Sequence, residues 1–128
     1  MEHKVYLAGG FKNDWQTRVI SCSDKFDFIN PKTKEKTAMS VTEYGKWDLH
    51  FIRQSDIVFV YVERDNASCI GLSVEAGYAK GLGKTVILVL EPNHETIKDS
   101  YLLFITQVAD IVFEDLESGI NYLKSFGI

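Results

Sequence analysis

Ile57-Val58-Phe59-Val60-Tyr61-Val62 is the stretch on which the architecture turns. Every residue in it is apolar and either β-branched or aromatic, so it has no polar face to show to water. A strand of this kind is buried on both sides, as in a parallel sheet with helices above and below it. The flanks agree. Downstream, Ile70–Leu82 has helical spacing and closes at Gly81 and Gly83. Upstream, Ser40–Gln54 reads as a helix, with Ser40 as N-cap and Glu43 three residues on, the pattern of a capping box.

The same reading extends to both ends. Lys4–Ala8 is a first strand and Asn13–Ser23 a helix capped by Asn13 or Asp14. Phe26–Ile29 is a short second strand closed by Asn30-Pro31, and Lys32–Ala38 is polar and unpatterned, hence a loop. Thr85–Leu90 is a fourth strand. Ile97–Val108 and Asp115–Phe126 read as helices around a last strand, Asp110–Phe113. Regular alternation of strand and helix implies a parallel sheet covered on both faces. The expectation is one α/β domain spanning 1–128, a flavodoxin-like or Rossmann-like three-layer sandwich. Right-handed crossovers suggest a five-stranded parallel sheet in the order 2-1-3-4-5.

Composition narrows the function classes. The chain has 128 residues, one domain's length, with 45% apolar and 25% charged residues. A net charge of −4 argues against nucleic acid or an anionic membrane as the main partner. Cys22 and Cys69 are far apart and form no CxxC, which favours two free thiols in a reduced cytosol. The start, Met1-Glu2-His3-Lys4-Val5, has no signal-peptide pattern. A cytoplasmic location is therefore expected. His3, His50 and His94 make no metal spacing, and nothing calls for a cofactor.

Two acidic residues break the helical pattern. In Ser40–Gln54 the inner stripe runs through Val41, Tyr44, Gly45, Phe51 and Ile52, and Asp48 falls on it. In Ile70–Leu82 the stripe is Leu72, Ala76, Ala79, Leu82 and Gly83, and Glu75 falls on that one. A carboxylate on an apolar face is costly unless it is paired or works at a site. Pairing with Arg53 or Lys84 is the structural alternative. Two such residues on adjacent helices favour a site. Ligands of open parallel sheets bind beyond the carboxyl ends of the strands. Glu75 belongs to that edge, near a helix N-terminus that favours an ionised nucleophile. Gly9, Gly10 and Phe11 follow the first strand there, and Asn30 follows the second. Asp56 begins the third strand at the opposite edge and reads as structural. Gly9-Gly10 lets backbone come close to a ligand, but the dinucleotide spacing is missing. Ser73 has no identifiable His, so a serine hydrolase is disfavoured.

These residues resemble the nucleoside 2-deoxyribosyltransferase superfamily, in its smaller branch. The first strand, Val5-Tyr6-Leu7-Ala8-Gly9-Gly10-Phe11, is similar to that family's opening. Trp47-Asp48-Leu49 and Ser55-Asp56-Ile57-Val58 match its next segments. The specific part is Gly71-Leu72-Ser73-Val74-Glu75-Ala76-Gly77-Tyr78-Ala79-Lys80-Gly81-Leu82-Gly83-Lys84. The resemblance implies that Glu75 is the nucleophile, that Asp48 contacts substrate and handles the proton of the base, and that Tyr6 orients Glu75. Gly9, Gly10, Phe11, Asn30, Asn66 and Gly71 are the candidate substrate-binding residues. It also implies a homodimer or larger homo-oligomer, with residues borrowed from a neighbouring subunit, for which Ser100 is a weak candidate. One departure stands out. The family's base-reading Asp, six residues before the nucleophile, is Cys69 here, with Asp65 and Asn66 near enough to substitute.

The chemistry so implied is nucleotide salvage. Glu75 attacks the anomeric carbon of a (deoxy)nucleoside or nucleotide, Asp48 protonates the leaving base, and a covalent glycosyl ester forms. Another base then takes the sugar. Such a double displacement needs carboxyl groups roughly 5 Å apart. Phe11 or Trp15 can stack on the base, although Trp15 also suits the core. Lys32–Lys36 is either a lid or a solvated loop. The alternatives are an N-glycosidase on the same scaffold, a nucleotide-binding domain without catalysis, and, more remotely, a flavodoxin-like carrier.

Overall fold

The computed structural model describes residues 3–66, 69–92 and 100–128, with the side chains of 34–36, 100 and 101 outside that description. Five strands form a parallel sheet: β1 (His3–Gly9), β2 (Phe26–Ile29), β3 (Ile57–Val62), β4 (Thr85–Leu90) and β5 (Ile111–Phe113). Their order is β2-β1-β3-β4-β5, as the alternation predicts. In register, Val5 pairs with Ile57 and Gly9 with Tyr61, while Ile57 pairs with Thr85. All six residues of β3 are buried.

Alternation along the strands sends side chains to two separate cores. Tyr6, Ala8, Val58, Val60 and Val62 face helices α2 (Val41–Gln54) and α3 (Ile70–Gly81), meeting Ile52, Leu72, Ala76 and Ala79. Val5, Leu7, Phe59 and Tyr61 face α1 (Trp15–Ile20) and α5 (Leu116–Lys124), meeting Trp15, Val19, Leu116, Ile120 and Leu123. Helices thus cover both faces, the condition for strands with no polar side. Gly119 on α5 sits so close to the sheet that a Cβ there would lie 2.4 Å from Val89 Cγ2.

The capping box at α2 is present. Ser40 Oγ accepts from the Glu43 N–H, and Glu43 Oε1 accepts from the Ser40 N–H at 2.9 Å. Asp56 caps the opposite edge of the sheet, where its Oδ2 accepts from the Lys4 N–H at 2.8 Å. Asp110 does the same for β4 through the Val86 N–H, and Lys80 Nζ holds its other oxygen.

Several element boundaries differ from the sequence reading. Pro31–Lys36 is a 3₁₀ helix rather than a loop. Pro31 is suited to a first helical position, and Asn30 Oδ1 accepts from the Lys32 N–H as a cap. α1 is shorter than Asn13–Ser23, and Asp14 Oδ1 takes the Thr17 hydroxyl instead of a backbone N–H. Of Ile97–Val108, residues 97–99 lie outside the described residues. The rest is a 3₁₀ helix, Ser100–Phe104, followed by α4 (Ile105–Val108). The last strand starts at Ile111, since Asp110 is spent on Val86 and Lys80. Three positions of the inner stripes also differ. Val41, Leu82 and Gly83 are exposed because they stand at helix ends, beyond the neighbouring layer. No helix among the described residues is long and apolar enough to cross a membrane.

Candidate active site

A cavity of about 420 Å³ opens between α2 and α3. Its lining includes Tyr44, Asp48, Gly71, Val74 and Glu75. That size suits a small organic ligand. The two acidic residues that broke the apolar stripes therefore line one space.

Asp48 is held there by the buried seam of α2, with Ile52 one turn on at 0% exposure. Its own exposure is only 9%. Glu75 is half-buried between Leu72 and Ala79, which anchor α3 on the sheet. α3 begins at Ile70, so Glu75 sits in the second turn, where the helix dipole acts weakly. The two cations considered as structural partners have other bonds. Arg53 donates to the Tyr78 hydroxyl at 3.0 Å, and Lys84 Nζ donates to the Arg53 carbonyl at 3.0 Å.

Tyr6 joins this pair from the sheet. Its side chain is wholly buried on the α2–α3 face. Its hydroxyl pKa is pushed far above the usual phenol range, first by burial, then by the negative charges of Glu75 and Asp48. Such a phenol stays protonated and can only donate to the carboxylates beside it. No described acceptor meets the hydroxyl at full hydrogen-bond geometry, yet both carboxylates are close enough to govern its proton. Tyr6→Phe therefore removes little that holds the fold. The expected result is an unchanged or higher melting temperature. Any activity that draws on the Tyr6 proton as charge shifts on Glu75 should fall roughly ten- to a hundredfold, the worth of one hydrogen bond to a charge made during the reaction. Thermal melts and steady-state rates check both halves.

The other expected site residues divide. Gly71 lines the cavity. Gly9 and Gly10 lie at the carboxyl end of β1, where the Gly10 carbonyl accepts from Trp15 Nε1 at 2.9 Å and Gln16 Nε2 at 3.0 Å. Asn66 approaches Gly10 within about the length of one missing methyl contact, 3.2 Å from where a Cβ would be. Phe11 is half-buried beside them. Trp15 is core: it is 4% exposed, stacked on Phe59 and edge-on to Tyr61. Asn30 caps the 3₁₀ helix at the end of β2 and is not among the residues lining the cavity. Lys32, assigned to a lid or a solvated loop, reaches Asp14 at 3.8 Å from within that 3₁₀ helix. Cys22 and Cys69 are free thiols, and burial raises both pKa values.

The sequence reading missed two buried polar residues at the same edge. Glu63 is 5% exposed and Gln16 is 0% exposed. Glu63 had a signal: it continues the alternation of Ile57, Phe59 and Tyr61 by one more step, toward the α1 face.

Comparison with known proteins identifies the family and the fold. The model of a family described as "nucleoside 2-deoxyribosyltransferase like" matches residues 2–93. Among solved structures, a 2-desoxiribosyltransferase from Leishmania mexicana superposes with a TM-score of 0.71 at 18% identity, covering 98% of this chain and 99% of that one. A CMP N-glycosidase from Clostridium botulinum superposes with a TM-score of 0.59 at 17% identity, covering 96% and 98%. Identities this low establish a shared fold. No curated protein matches the chain.

Proposed function

The chain belongs to the nucleoside 2-deoxyribosyltransferase-like family, and from that premise we propose that it cleaves the N-glycosidic bond of a (deoxy)nucleoside or its monophosphate and passes the sugar to another base. The observation that carries the reading is the convergence of Asp48 and Glu75 on one cavity, with the Tyr6 hydroxyl under the influence of both.

In this scheme a Glu75 oxygen forms a bond to the anomeric carbon. The C–N bond breaks, and its electron pair goes to the base nitrogen. Asp48 enters this step protonated and gives that proton to the base. Tyr6 keeps its own proton and steadies Glu75 as charge leaves it. The result is a glycosyl ester on Glu75. An incoming base, deprotonated by Asp48, attacks the same carbon and restores the carboxylate. The stereochemistry is retained after two displacements.

A second reading, hydrolysis by water in place of the acceptor base, is favoured by one departure. Cys69 stands where the family's transferases carry a base-reading Asp, and its neutral thiol is a weak acceptor. A site with a poor hold on an incoming base leaves the ester to water. Incubating the protein with deoxynucleosides and their monophosphates, with and without an acceptor base, separates the two. Exchange that requires the acceptor supports transfer, and base release without it supports hydrolysis. Neither product from any common deoxynucleoside or monophosphate would sink both.

A further inference from the structure

We infer that Glu63 reads the leaving nucleobase by accepting a hydrogen bond from an exocyclic amino group. The inference rests on the glycosidic-bond reading above and adds a substrate class to it.

Topology places Glu63 at a crevice. From β1 the chain leaves toward α1 on one face of the sheet, and from β3 toward α3 on the other. Between adjacent strands with opposite exits the sheet edge opens, and ligands of such sheets bind there. One wall of this opening is the Gly10–Asn13 turn. The other begins at Glu63, immediately after β3.

Glu63 ties the walls together with half of its carboxylate. Asn13 Nδ2 donates to Oε2. Oε1 is buried and receives no donor from the described residues. A carboxylate oxygen shut away from water without a donor is costly, so its retention calls for a ligand that supplies one.

The surroundings specify what that ligand brings. The Gly10 carbonyl is an acceptor already engaged by Trp15 and Gln16. Gln16 has turned its amide nitrogen to that carbonyl, which leaves its buried Oε1 as another acceptor without a described donor. Cys69 Sγ contacts the Asn66 carbonyl at 3.6 Å. The crevice thus sets two buried acceptors, Glu63 Oε1 and Gln16 Oε1, beside one buried amide donor, Asn66 Nδ2. A carboxylate here attracts the amino group of cytosine, adenine or guanine and repels a carbonyl oxygen in its place. With the sugar between Asp48 and Glu75, the base crosses the strand ends to reach Glu63.

Glu63→Gln tests this with the bridge intact. Its amide oxygen takes the Asn13 donation, so its amide nitrogen stands where Oε1 was, and a donor replaces an acceptor. Titrations would use Glu75→Gln protein, which cannot form the ester, with two pairs: deoxycytidine against deoxyuridine, and deoxyadenosine against deoxyinosine. In at least one pair the amino member should bind more tightly. Glu63→Gln should shift that ratio toward the carbonyl member by about tenfold or more. Asn13→Ala breaks the bridge but leaves the carboxylate, so it should weaken binding and keep the preference. Ratios unmoved by Glu63→Gln in both pairs, or moved equally by Asn13→Ala, overturn the assignment of Glu63 alone. No binding of any of the four nucleosides or of their 5′-monophosphates overturns the glycosidic-bond reading with it.

Discussion

Glu75→Ala is expected to lower base release about a thousandfold or more while shifting the melting temperature by only a few degrees. The activity loss is large because no other described carboxylate lines the cavity except Asp48, to which the proposed scheme gives the proton transfer. The stability effect is small because Leu72, Ala76 and Ala79 hold α3 on the sheet, whereas Glu75 is only half-buried. Covalent trapping gives the sharper readout. A 2′-fluoro nucleoside slows the second displacement, since the fluorine disfavours positive charge at the neighbouring carbon. Mass spectrometry should then find the glycosyl adduct on the peptide containing Glu75. An adduct on any other side chain, or full turnover by the alanine variant, would refute the scheme.

Gly9→Ala is expected to be the most damaging small substitution at the site, costing about 3 kcal/mol of stability. A Cβ at Gly9 would stand 2.6 Å from the Tyr61 carbonyl oxygen and 2.7 Å from Trp15 Cζ2. Neither neighbour can yield. The carbonyl is backbone of β3, in register with Gly9 itself. The indole is fixed by its bond to the Gly10 carbonyl and by its packing on Phe59 and Tyr61. Relief would have to open the β1–β3 pairing at the end that carries the crevice, so activity should fall with stability. Gly10→Ala is the control. There the nearest atom is Asn66 Nδ2 at 3.2 Å, on a side chain that can move. Urea unfolding of the two variants should differ by about 2 kcal/mol, and similar midpoints would show that the Trp15–Tyr61 wall is softer than its contacts imply.

How far the sequence reached depends on where information is local. β3 was legible because six unbroken apolar residues admit one environment. The strand order follows from alternation and handedness, and the sheet has that order. Asp48 and Glu75 stood out because each interrupts a helical stripe whose other members are apolar, and the structure brings both to one cavity. Val41 and Leu82 were misjudged because a stripe says which way a residue points but not where the opposing layer ends. Lys32–Ala38 reads as a loop because its polar composition hides the cap that Asn30 gives to the 3₁₀ helix Pro31–Lys36. Glu63 and Gln16 went unnoticed for a deeper reason. The strand alternation gives the face of Glu63 but not its partner Asn13, 50 residues away, and Gln16 is buried by a turn at Gly10 whose shape no spacing rule specifies.

The sheet ends in strands of four residues at β2 and three at β5. Margins so brief, the first carrying Asp27 and the second followed at once by Glu114, are poor templates for another copy to add a strand. Polymerisation by sheet extension is thereby discouraged, and copies of this chain that associate would do so through helical surfaces instead.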